Sequence, residues 1–158
     1  MLRSLCLGLL ALFAASASSD TNPAPSACPV TVPSEGPNGP QMLRGASVHG
    51  HILWVSSWKD GTVPFREGGP GFILPDGSLQ MKFLWAKGGG LRGPLTVHGK
   101  RLDAPAPRLS ADIDDEYVNQ DYQPSYLIFA TAGCWQVTGE VADARVTFVT
   151  RVIRIAAP

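Results

Sequence analysis

At 158 residues, with 13 basic and 13 acidic side chains and no net charge, the chain is the size of one domain with its own core. That balance removes any electrostatic case for nucleic acid or an anionic membrane surface as partner. Its 14 prolines and 17 glycines, spread along the chain, suit short strands joined by turns better than helices.

The first residues read as a secretory signal peptide. Arg3 supplies the positive start, Leu5 to Phe13 is an apolar run too short to span a bilayer, and Ala15-Ser16-Ala17 offers a cleavage site. The expected organisation is therefore a signal peptide over 1–17, a proline-rich extended leader over 18–40 and one β domain over 41–158. No transmembrane segment is expected, and the destination is the periplasm or the medium. In the leader, Pro23, Pro25, Pro29, Pro33 and Pro37 exclude a helix or a central strand. Cys6 leaves with the signal. Cys28 and Cys134 remain, and an even count in an oxidising compartment favours a disulfide. Ser26-Ala27-Cys28 also looks like the end of a lipobox. Pro25 stands where an aliphatic residue is wanted, however, so a lipid anchor at Cys28 ranks below the disulfide.

Val48 to Trp58 predicts a strand with Ile52 and Trp54 on one face and His49, His51, Leu53 and Val55 on the other. Trp54 reads as core. Phe72-Ile73-Leu74, the turn Pro75-Asp76-Gly77 and Ser78 to Trp85 predict a hairpin with Leu79, Met81, Phe83 and Trp85 on one face. Leu95 to Leu102 and Leu109 to Ile113 predict two more strands, Asp114 to Gln123 an acidic loop, and Tyr126 to Ala130 a short core strand. Gly133 to Val141, a break at Ala142-Asp143-Ala144, and Arg145 to Ile155 predict a closing hairpin. In its first arm Trp135, Val137 and Val141 face inward. Cys134 shares the phase of Gln136, Thr138 and Glu140, so it is expected to point away from the core, with the leader reaching it from outside over the face or edge of the hairpin. Seven or eight short strands of this kind predict an immunoglobulin-like antiparallel β-sandwich, with a closed barrel as the alternative.

Several stretches carry a resemblance. They are Met81-Lys82-Phe83-x-Trp85, the run Gly93-Pro94-Leu95-Thr96-Val97 onward through Leu102-Asp103-Ala104-Pro105-Ala106-Pro107, and Gly133-Cys134-Trp135-x-Val137-Thr138-Gly139. Together they resemble a family of uncharacterised exported bacterial proteins, often described as hypothetical or putative lipoproteins. The resemblance implies an exported immunoglobulin-like β domain and brings no activity or functional residue with it.

Candidate chemistry is sparse. His49 and His51, two apart on a predicted strand, would share a face and could bind one metal with His98 or an acidic side chain as third ligand. Asp112, Asp114, Asp115 and Glu116 offer hard oxygen ligands for calcium, without the spacing of an EF-hand. Trp58 and Trp85, at strand ends, could stack a sugar. No catalytic residue is assigned: the chain has no Gly-x-Ser-x-Gly elbow, and the glycines at 88–90 lack the Lys-Ser/Thr of a phosphate cradle. No cofactor is expected. The reading is a non-enzymatic binding or envelope-associated module with an envelope protein or glycan as partner; the alternative is a carbohydrate- or metal-binding accessory domain.

Overall fold

Strict alternation in the closing hairpin sets the architecture. In the computed structural model, which describes residues 27–36 and 39–156, strands β10 (Gly133–Val141) and β11 (Ala144–Arg154) pair from Val141 opposite Ala144 to Gly133 opposite Val152. Trp135, Val137, Val146, Phe148 and Val152 are all buried on one face. The expected signal peptide and the leader as far as residue 26 lie outside the described residues.

Nine further strands precede this hairpin: β1 (Ser34–Gly36), β2 (Gly39–Ala46), β3 (Ile52–Ser56), β4 (Thr62–Phe65), β5 (Phe72–Ile73), β6 (Leu79–Gly88), β7 (Leu95–Arg101), β8 (Ser110–Ile113) and β9 (Tyr122–Phe129). A 3-10 turn covers Asp115–Tyr117. One sheet runs β1-β2-β3-β6-β9-β8, with β5 beside β6; the other runs β4-β11-β10-β7. The molecule is thus an all-β sandwich of two sheets, not a closed barrel. Its described strands number eleven rather than seven or eight, the additions being the β1–β2 hairpin and the short β4. β4 lies parallel to β11, Thr62 opposite Arg151 through Phe65 opposite Arg154, while the other pairings are antiparallel.

The core lies between the inward faces. Phe83 and Phe129 from one sheet meet Phe148 and Trp135 from the other in tilted and edge-on contacts with centroids 6.2 and 5.6 Å apart. Leu53 and Val55 are fully buried, so β3 presents these two to the core. This corrects the expectation for Trp54, which is half-buried on the outer face over Gly36 and Gly88. The period-2 reading separated the two sets correctly and assigned the core to the wrong one.

β9 begins four residues before the expected Tyr126. Its first half hides in the sequence because polar Gln123 and Ser125 face inward and Pro124 interrupts the run. Pro124 lies just past the last residue paired with β8, where Ile113 meets Ser125, so this stretch has one neighbouring strand fewer to serve.

Candidate functional site

At one end of the sandwich two turns meet. Gly45 on β2 lies against the backbone of Arg145 on β11, where any side chain would overlap the Arg145 carbonyl. That approach sets the turn at 47–51 over the β10–β11 turn at Ala142-Asp143. Asp143 then accepts from both histidines, His49 Nδ1 to Oδ2 and His51 Nδ1 to Oδ1, each at 2.6 Å. Ser47 Oγ accepts from the backbone N–H of His49 and of His51, both at 3.2 Å. Hydrogen bonds from His51 and then His49 hold the Asp143 carboxyl well below the usual carboxylate range.

His49-Gly50-His51 is therefore a turn and not a strand, since Gly50 takes a φ of 83° that a β residue would not. The two imidazoles converge because one carboxylate holds them. His98 is elsewhere: it sits in mid-β7 opposite Thr138 on the other sheet. Among the described residues no group of three His, Cys, Asp or Glu side chains is arranged around a metal position. Asp143 itself escaped sequence reasoning, because its partners lie more than 90 positions away.

The acidic stretch keeps three of its four candidates beside one cleft, without a metal-ligand grouping among the described residues. Asp114 Oδ1 caps the 3-10 turn by accepting from the Glu116 N–H at 2.9 Å. Asp112, Asp114 and Asp115 edge an open cleft of about 510 Å³ on the outer face of β6, β8 and β9, beside Lys82, Tyr117 and Tyr126. Glu116 is exposed.

Trp85 does not offer a stacking platform. Its ring is fully buried, and Nε1 donates to Ser125 Oγ at 2.9 Å. The strand continues to Gly88, so Trp85 falls inside β6 and not at its end. Trp58 is partly buried and packs edge-on against Phe83, with centroids 5.4 Å apart, which commits that ring to the core.

A buried lysine passed unnoticed in the sequence. Lys87 is 5% exposed, and its Nζ donates to Gly93 O (3.0 Å), Val118 O (2.8 Å) and Gln123 Oε1 (2.9 Å). Gln123 in turn donates to Asp114 O at 3.0 Å. One ammonium thus ties the 89–94 loop and the 114–121 loop to β6. Burial, and then the charge of Arg92, push the Lys87 amine below the ordinary lysine value.

Cys28 and Cys134 form a disulfide, with Cα atoms 5.5 Å apart. Trp135, next in sequence, is fully buried in the core, so Cys134 lies on the outer face of β10 beneath the leader, as its phase requires. Beyond Cys28 the leader reaches the free edge of β11. Thr31 N–H donates to Val149 O at 2.8 Å, and Val149 N–H donates to Thr31 Oγ1 at 2.9 Å. This contact continues the edge that β4 occupies from Arg151 onward.

On the outer face of the same sheet, β7 and β10 frame a cleft of about 310 Å³ lined by His98, Gly99, Lys100, Arg108, Gln136 and Thr138. His98 and Lys100 alternate outward from β7 opposite Thr138 and Gln136, and Arg108 comes from the segment that joins β7 to β8. No family model matches this chain, and no curated protein or solved structure matches it either.

Proposed function

We propose that the chain is an exported, non-enzymatic β-sandwich of immunoglobulin-like type that binds a partner or glycan of the cell envelope or its surroundings. The disulfide between Cys28 and Cys134 carries this reading, because such a bond persists in oxidising compartments and rarely in a reducing cytosol. The strand order supports the immunoglobulin-like part. β3-β6-β9-β8 facing β11-β10-β7 corresponds to the ABED and GFC sheets of a constant-type domain, with β4 in the parallel position beside the last strand. Polar side chains that reach the interior, Lys87, Gln123, Ser125 and Thr150, are engaged in structural hydrogen bonds, which leaves the surface for recognition. The sequence resemblance to exported proteins points the same way.

The test is expression of the full chain in a bacterial host, followed by fractionation, N-terminal sequencing and thiol labelling under denaturing, non-reducing conditions. Protein that starts near Ser18, in the envelope fraction or medium, with neither Cys28 nor Cys134 labelled, supports the reading. An intact Met1 with both thiols labelled in the cytosol overturns it.

A further inference from the structure

We propose that the cleft between β7 and β10 is a binding site for an oxoanion, a phosphate or sulfate group, free or carried on a saccharide. The inference deepens the binding-module reading and rests on it. Lys100 and Arg108 place two fixed positive charges on the cleft, and His98 adds a ring N–H donor. The Gln136 amide and the Thr138 hydroxyl, which is 2.9 Å from that of Thr147, supply neutral donors from the floor.

The surrounding charges explain why this cleft and not another takes an anion. No carboxylate lines it. Glu140, the acidic residue on this face of β10, is engaged by Arg145 across the turn, and Asp103 is held by Arg101 at 2.7 Å. Among the described residues neither Lys100 nor Arg108 has an ion-pair partner. The cleft on the opposite sheet has the reverse character, with Asp112, Asp114 and Asp115 around a single Lys82. A volume near 310 Å³ exceeds one oxoanion and leaves room for a sugar ring beside it. Arginine offers a two-pronged grip on phosphate or sulfate, and lysine a point charge.

The experiment uses the disulfide-bonded protein and follows backbone and His98 ring resonances by NMR. The titrants are sodium phosphate, sodium sulfate and a sulfated hexasaccharide, each at constant ionic strength against sodium chloride. The expected result is saturable shifts at His98, Lys100 and Gln136. Lys100→Gln with Arg108→Gln should weaken binding about tenfold or more, while Arg154→Gln, on the exposed end of β11, leaves it unchanged. Saturation by phosphate or sulfate alone assigns a free-ion site; saturation only by the hexasaccharide assigns a glycan-borne group. Either supports the cleft. Absence of saturable shifts with all three, or an equal loss in Arg154→Gln, overturns it. Because the fold and disulfide are checked in the same spectra, failure here leaves the export reading standing on its own test.

Discussion

The indole ring of Trp85 occupies the space where residue 139 would carry a side chain. Trp85 belongs to one sheet and Gly139 to the other, and a Cβ at 139 would overlap the six-membered part of the ring. A glycine in the middle of a central strand, opposite Val97 and Val146, is thus explained by close approach across the core. Gly139→Ala is expected to cost about 1–3 kcal/mol through overpacking, read as a lower urea midpoint with altered tryptophan emission. Unchanged stability and emission would show that the two sheets yield at this point.

Lys87→Met should cost about 2–4 kcal/mol, because two carbonyls and the Gln123 side chain lose their shared donor. The pH dependence gives a second reading. The folded-state pKa of Lys87 lies below the unfolded one, so in the alkaline window between them the unfolded chain holds more protons. Wild-type stability should rise with pH there relative to Lys87→Met. Parallel curves for the two proteins would argue against a buried, perturbed amine.

Removing the disulfide should act on the leader first. Cys28→Ser exposes one thiol at Cys134 and frees a link spanning 106 positions, for a loss of up to about 4–5 kcal/mol by chain entropy. The Val149 amide, held by Thr31 Oγ1, should lose more hydrogen-exchange protection than Val137 in the middle of β10, whose loss is limited to the fall in global stability. Equal loss at both positions would mean that the bond supports the whole sandwich and not the strap alone.

Asp143 provides a test by acid. Its folded-state carboxyl pKa is depressed, so its contribution is complete above the unfolded value of about 3.9 and fades as pH falls through the folded one. The stability difference between wild type and Asp143→Asn should therefore be greatest near neutrality and shrink on acidification below about pH 4. A difference independent of pH would remove the two histidines from the account.

The closing hairpin and β6 were legible because one face is almost wholly apolar, with only Thr150 and Lys87 as its buried polar exceptions, and alternation gives the register. The disulfide followed from the even cysteine count in an oxidising compartment, and the outward phase of Cys134 from the alternation. β3 was misread because a turn held by Ser47 resembles the start of a strand, and because the largest apolar residue, Trp54, is not the buried one. The first half of β9 was missed because its inward residues are polar and satisfied by partners from afar, Lys87 and Trp85. The grouping of His49 and His51 on Asp143, and the meeting of His98 with Arg108, depend on how the two sheets are stacked and on a link crossing between them. Neither is a local property of the chain.

The parallel pairing of β4 with β11, and the hold of Thr31 on Val149, place the first and last described segments side by side. The β4-β11-β10-β7 sheet cannot close until residue 154 is available, however early the other strands form. Sandwiches of such non-local contacts fold in about milliseconds to seconds, whereas elongation adds only about 5–20 residues per second, so the arrival of the last strand is the limiting event. The growing polypeptide therefore stays without its finished core until β11 has been made, and that strand sets the moment at which the native state becomes accessible.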